Sequence, residues 1–536
     1  STYGQAVHRN EFGITKGTFW SPQGNYLAFY RKNESLVADY TLTDNSKKPP
    51  SSKNIKYPAV GENSEQVTIG IYSIKTGKTI YLETGEPLDR YFTNLCWTPT
   101  EKELIVAELN RNQNSCTLKA YDIQTGKGRV LFTESNNTYV EPEKTPLFID
   151  NTNFIWQSER SGHNHLYLYN LNNNLCQTLT SGNWDVLELN GYNKEKNSLI
   201  FSATKNSPLE KNVYLLNLAS SKIEELSTTG GQHEVLVSET ANFVVDNFSS
   251  LTIPRSINVI NVHSKATTNL LFASNAYVGY TLPEMKFGTI KCADKKNDLY
   301  YRLTLPVDFD ENKKYPVIVY VYGGPHVQLV QNAWLGGSKG WELYMAQQGF
   351  VCFSVDGRGS ANRGQAFEET IYGNIGKAPL EDQLQGVDFL KNLPYVDSTR
   401  MGVYGWSFGG FMSTQLMTKT PEIFKVGVAG GAVIDWRLYE VMYGERYMQT
   451  PQLNAKGYEE NDLTNYAKNL QGLFLMIHCE LDPVVRIINT ERFLDAAKAA
   501  GKKVEFIRYQ KHEHNVQGKE RVDLFEKITA FFVDNL

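Results

Sequence analysis

Residues 400–417 read RMGVYGWSFGGFMSTQLM. The apolar run MGVY predicts a buried strand, and the stretch after Ser407 predicts a helix. Gly405-Trp406-Ser407-Phe408-Gly409 is the turn between them. A bare G-x-S-x-G is a weak signal, but one joining a strand to a helix is strong. In that setting the turn is so tight that side chains at the two glycine positions would collide with the strand and helix. The serine is then held on strained backbone with its hydroxyl exposed at the strand's carboxyl end, as a nucleophile requires.

The surroundings of this turn predict a parallel sheet. KKYPVIVYVYGGPH (313–326), GFVCFSVDGRGS (349–360), KVGVAGG (425–431) and GLFLMIHCELDPVV (472–485) are continuous apolar runs. Strands that read this way are covered on both faces. Helical stretches such as PLEDQLQGVDFLKNL and NTERFLDAAKAAG alternate with them, giving the βαβ pattern of an α/β domain over residues 276–536.

The first half has a different texture, because it repeats. IGIYSIKTGKTIYL, LKAYDIQTGKGRVLF, LYLYNLNNNLCQTLT, VYLLNLASSKIEELS and INVINVHSKATTNLL each show an alternating strand, a polar turn and a second alternating strand. Aligned at Tyr72, Tyr121, Tyr169, Leu216 and Ile260, they are separated by 49, 48, 47 and 44 residues. Period-2 alternation predicts hairpins, and a spacing in the forties predicts four-stranded propeller blades. Hairpins at 17–31 and 94–109 would supply inner strands. The expected organisation is a β-propeller of about five blades over 1–275, then an α/β-hydrolase domain over 276–536.

Composition narrows the function classes. With a net charge of −4, a pI near 6.2 and no basic cluster interleaved with aromatics, the chain is not built for nucleic acid. No apolar run reaches the roughly 18 residues needed to span a bilayer. Six cysteines are scattered without CxxC spacing, which argues against a zinc or thioredoxin-like site, and Cys352 and Cys479 read as buried strand residues. No metal or cofactor is expected.

A serine hydroxyl needs a base, and the hydrolase order is serine, acid, histidine. Asp482 follows the last long apolar strand, and VEFIRYQKHEHNVQG supplies His512 and His514. The pattern alone does not choose between these two histidines. An oxyanion needs two donors. The Phe408 N–H is one, and the loop VYGGPH (321–326), with Tyr322 or a neighbouring N–H, is the source of the other.

A propeller before a hydrolase, with VYGGPH, DGRGSANRG, GWSFGG, DPVV and HEHN, resembles the prolyl oligopeptidase family of serine peptidases. Its dipeptidyl peptidase IV subgroup matches best, and within that the prolyl tripeptidyl peptidases of Bacteroidetes. The resemblance implies Ser407 as nucleophile, Asp482 as orienting acid, His514 as base and the Tyr322 hydroxyl on the oxyanion. AVIDWRLYEVMYGERY (432–447) resembles the proline-pocket segment, placing Val433, Trp436, Tyr439 and Tyr443 there beside Phe408 and Val485. Phe408 stands where many relatives have tyrosine. An apolar aromatic box suits proline, which is rigid and has no N–H to satisfy.

Two departures bear on specificity. Dipeptidyl peptidases hold the substrate amine with two adjacent glutamates, whereas VHRNEFGI (7–14) has Glu11 alone, after Arg9 and Asn10. Glu440 matches the second carboxylate of the tripeptidyl group. The family also carries eight blades, so the chain reads as lacking roughly the first quarter, with a substrate-orienting arginine in that part. The implied activity is release of Xaa-Xaa-Pro from free amino termini of proline-containing oligopeptides. Dipeptide release is one alternative, and a non-catalytic propeller scaffold is another of a different class. The resemblance implies a periplasmic, cell-surface or secreted bacterial setting, with a homodimer or a complementing N-terminal segment as partner.

Overall fold

The computed structural model describes residues 1–142, 144–173 and 175–536. In the first half the alternating runs pair into five antiparallel sheets in chain order. The first joins Thr2–Tyr3, Thr18–Trp20, Tyr26–Asn33, Gln66–Ser73 and Thr79–Tyr81. The second spans Tyr91–Trp97 to Gly128–Ser135, the third Leu147–Phe148 to Cys176–Thr178, the fourth Val186–Asn193 to Ile223–Glu225, and the fifth Gln232–Val237 to Thr267–Phe272. The repeated hairpin forms the last two strands of each. The register is constant: Tyr72 faces Thr79, Tyr121 faces Gly128, Tyr169 faces Cys176, Leu216 faces Ile223 and Ile260 faces Thr267. One structural unit therefore recurs, which coincidental spacing would not produce.

A two-stranded arm, Asp39–Asp44 paired with Ser51–Lys56, interrupts the first sheet and lies outside the repeat. Its polar alternation buries little, and the repeat period does not reveal it. The arm reaches the second domain, where the Asn45 side chain donates to Glu480 at 3.0 Å.

The second domain is built on one eight-stranded sheet. Six strands are parallel neighbours, in the order Val351–Val355, Tyr315–Tyr320, Val396–Trp406, Val426–Gly430, Leu473–Cys479 and Glu505–Tyr509. Met285–Lys291 and Asp298–Thr304 add an antiparallel edge. Those two strands escape a search for continuous apolar runs because they alternate. Helices Gly340–Gln347, Lys377–Lys391, Phe408–Lys419, Ile488–Ala499 and Glu520–Asn535 lie between or after the strands. Cys352 and Cys479 are buried strand residues, and the cysteines are free thiols.

The two domains share apolar packing. Val60 and Tyr139 of the first belong to the core of the second, and Val441 and Met442 of the second belong to the core of the first. Each such buried side chain contributes about 1.5–3 kcal/mol, so the interface is a fixed surface for a site placed across it. Among the described residues no helix is long and apolar enough to cross a membrane.

Candidate active site

Ser407 sits between the strand Val396–Trp406 and the helix Phe408–Lys419 at φ 61°, ψ −117°. An L-residue is strained there, and its surroundings hold it. The Ser407 N–H donates to Gly430 O at 2.8 Å, and Ser407 O accepts from the Phe411 N–H at 3.0 Å. A Cβ on Gly405 would lie 2.3 Å from Gly409 O, and one on Gly409 would lie 2.3 Å from Val321 O. Both flanking positions therefore exclude any side chain, as the motif predicts.

His514 Nδ1 lies 2.6 Å from Asp482 Oδ2. His512 instead pairs with Glu520 at 2.8 Å, so the structure separates the two histidines that the pattern left open. Asp482 is buried, which by itself would raise its pKa. The nearby His478 imidazole and the hydrogen bond with His514 outweigh this and hold it down at about 2. Its other oxygen, Oδ1, accepts the Val484 and Val485 N–H groups at 2.8 and 2.9 Å. The His514 ring also borders Gly431, where a Cβ would come within 3.3 Å of Cε1. Ser407 and His514 thus each border the Gly430-Gly431 pair. Among the described residues no hydrogen bond joins them, and such bonds often tighten only when substrate binds.

The Tyr322 ring stands 5.9 Å from Phe408, and burial pushes the Tyr322 phenol up, keeping its O–H a donor. Phe408, Trp436, Tyr439 and Tyr443 form a continuous aromatic wall. Phe408–Trp436 centroids are 5.5 Å apart, Trp436–Tyr439 5.4 Å, and Trp436–Tyr443 5.9 Å in a stacked arrangement. Val433 and Val485 are fully buried in the same core.

Glu11 and Glu440 come together from the two domains, close enough that Glu11 helps raise the Glu440 pKa. Burial is the larger cause, and the two bring it to about 7 against Arg9. Both carboxylates are already engaged. Glu440 caps the helix Val441–Met448, accepting the Tyr443 and Met442 N–H groups at 2.7 and 2.9 Å. Glu11 accepts from Arg446 at 3.0 Å, and Arg446 also reaches Glu141 at 3.0 Å.

Comparison with known proteins fits this geometry. Residues 2–255 match the dipeptidyl peptidase IV N-terminal region, and 338–536 match the prolyl oligopeptidase family. A Bacteroides ovatus crystal structure, described as a candidate dipeptidyl aminopeptidase IV, superposes with a TM-score of 0.97 at 46% identity, covering 100% of this chain and 79% of that one. The chain belongs to the prolyl oligopeptidase family, in its dipeptidyl peptidase IV branch. Porphyromonas gingivalis dipeptidyl peptidase 4 is similar at a TM-score of 0.94 and 29% identity, over 100% of this chain and 76% of that one. Dipeptidyl-aminopeptidase B of Aspergillus niger is 28% identical over 559 residues, 96% of this chain. The chain spans 61% of that relative's length and 57% of its Arthroderma gypseum counterpart's.

Set in this family's frame, the structure adds residues that the motifs did not single out. Arg446 lies inside the quoted segment 432–447, a charge in an aromatic run, so its signal was present. Tyr57 and Arg9 reach the loop after Asp482 and carry no motif signal. His478 Nε2 lies 2.9 Å from Val485 O and 3.6 Å from Asp482 Oδ2, the same oxygen that His514 approaches. Beyond Glu141 a cavity of about 500 Å³ is lined by Glu159, Asp185, His326 and Glu368. The donor atoms of Glu141, His326 and Glu368 lie within 4.8 Å of one another. Glu141 pairs there with His326 and Arg446.

Proposed function

We propose that this protein is a serine exopeptidase that cleaves after proline through an acyl-enzyme and releases Xaa-Xaa-Pro tripeptides from free amino termini. The observation that carries the serine-peptidase part of the reading is His514 Nδ1 at 2.6 Å from Asp482, together with a serine held at a positive φ on a strand-to-helix elbow. The tripeptide length is supported by the pairing of Glu11 with Glu440 in place of two adjacent glutamates.

The mechanism follows from the residues. Asp482 fixes the tautomer by accepting the Nδ1–H, leaving Nε2 as the base. Ser407 Oγ attacks the carbonyl carbon of proline and its proton passes to His514 Nε2. The oxyanion is met by the Phe408 N–H and the Tyr322 O–H. Collapse breaks the C–N bond, and His514 returns the proton to the leaving amine. Water then attacks the acyl carbon, losing its proton to His514. The bond from that carbon to Ser407 Oγ breaks, and His514 returns the proton to Oγ, freeing the peptide acid and the serine. The pocket of Phe408, Val433, Trp436, Tyr439, Tyr443 and Val485 takes the proline ring. Glu11 and Glu440 take the protonated amine, since a buried ammonium without a counter-charge is costly.

Release of Xaa-Pro dipeptides is the second reading, and the names of the relatives favour it. Mass spectrometry of the products from a peptide with proline at both second and third positions separates the two. Labelling of Ser407 by a fluorophosphonate tests the peptidase reading itself. An unlabelled, well-folded protein would return the chain to the non-catalytic scaffold reading.

A further inference from the structure

The loop that carries Asp482 is gripped from the other domain. The Arg9 guanidinium donates to Pro483 O at 2.8 Å, and the Tyr57 O–H donates to Val484 O at 2.8 Å. These carbonyls belong to the same two peptide units whose N–H groups, on Val484 and Val485, point the opposite way and donate to Asp482 Oδ1 at 2.8 and 2.9 Å. A peptide unit is planar and rigid, so fixing its C=O also fixes its N–H. A donor on the carbonyl also polarises the unit and strengthens what its N–H gives.

We propose that Arg9 and Tyr57 are positioning residues that act across the domain boundary through these two peptide units, holding Asp482 Oδ1 so that Oδ2 is presented to His514. The proposal rests on the Ser407–His514–Asp482 reading above and adds that the propeller completes it.

Three further observations support the assignment. Tyr57 is 1% exposed, so its O–H has no water to turn to, and burial keeps the phenol protonated as a donor. Arg9 stands on a left-handed run, with φ of 52° at His8, 51° at Arg9 and 65° at Asn10. Such backbone persists only where its surroundings over-determine it. Here buried His8 anchors it, its backbone N–H on Glu65 and its Nε2 accepting the Phe92 N–H at 3.1 Å. The segment after Tyr57 is also tied down. Val60 N–H donates to Tyr439 O at 3.0 Å and Val441 N–H to Pro58 O at 2.9 Å, so one strand-like strip addresses both the acid loop and the pocket segment.

The test uses diisopropyl fluorophosphate, a small reagent that reports Ser407 activation without filling the amine site. Its second-order rate constant is measured on the full chain. Tyr57→Phe and Arg9→Met should each slow phosphorylation of Ser407 by roughly five- to tenfold, the size expected for one hydrogen bond. The unfolding midpoint should stay near wild type. Asp482→Ala should slow the reaction far more, and adding Tyr57→Phe to it should change nothing further, because no carboxylate is left to receive the relay. A wild-type rate in Tyr57→Phe overturns the proposal. So does an equal further loss in the Asp482→Ala background, which would mark a general structural role. If Tyr57→Phe does not fold, the same comparison with Arg9→Met decides. A wild-type rate in Asp482→Ala would instead sink the triad reading, a distinct failure.

Discussion

Glu11 and Arg446 meet at 3.0 Å across the boundary between the propeller and the hydrolase. Arg446 is almost fully buried and holds Glu141 as well, so it fixes Glu11 rather than competing for it in solvent. A carboxylate held this way is set at a constant distance from Ser407, which is what an exopeptidase needs in order to count residues. Glu11→Gln removes a charge-assisted contact worth about 1.5–3 kcal/mol. Its kcat/KM on free-amine Xaa-Xaa-Pro substrates should fall correspondingly, while acetylated substrates, poor for wild type, should be little changed. Equal rates of wild type and variant on the free-amine peptide would show that Glu11 does not read the amine.

Glu440 should give the free-amine reaction a pH dependence of its own. Burial, then Glu11, raises its pKa to about 7, opposed by Arg9 and by the backbone donors at Met442 and Tyr443. Below that pH the carboxyl is neutral and attracts an ammonium weakly; above it the charge is present. KM for free-amine substrates should therefore fall as pH rises through 7, and Glu440→Gln should flatten that change. The same pH series on acetylated substrate is the control. An unchanged KM profile in the variant would remove Glu440 from recognition.

The elbow was legible because its geometry excludes alternatives: glycine at 405 and 409 is demanded by backbone atoms 2.3 Å from any added Cβ. The repeat was legible because five hairpins share one register. The choice of His514 over His512 came from the family resemblance, because both lie in one loop and only the fold turns His514 toward Asp482. The grip of Tyr57 and Arg9 on the Asp482 loop was not legible, because it is made to carbonyl oxygens, which every residue has. The arm at 39–56 was missed for a related reason: its short polar strands carry no repeat and bury no face.

Ser407→Ala and His514→Ala should each lower kcat by roughly 10⁴-fold or more, as in other triads, with folding intact. His512→Ala should be mild, since its ring contacts Glu520 rather than the acid. Steady-state kinetics on one proline substrate across the three variants checks this. A severe loss in His512→Ala alone would reverse the assignment of the base, and a tenth of wild-type turnover in Ser407→Ala would place the nucleophile elsewhere.

Glu368 should make the interdomain contact pH-sensitive. It lines the acidic cavity beside Glu141 and accepts the Asn362 N–H at 3.1 Å. Burial raises its pKa to about 8, with Asp185 and Glu141 adding to the rise and His326 opposing it. The folded state therefore keeps a proton that the unfolded chain releases near the ordinary glutamate pKa of about 4.3. Between those two values stability must fall as pH rises, by at most one proton's worth, about 1.4 kcal/mol per pH unit. Below the lower value the full contribution is present, and above the upper value no more is lost. Glu368→Gln carries an uncharged amide throughout and should flatten the decline of Tm between pH 5 and 8. Thermal unfolding of wild type and variant across that range is the measurement. Parallel Tm curves for the two proteins would show that Glu368 titrates as an ordinary solvated carboxylate.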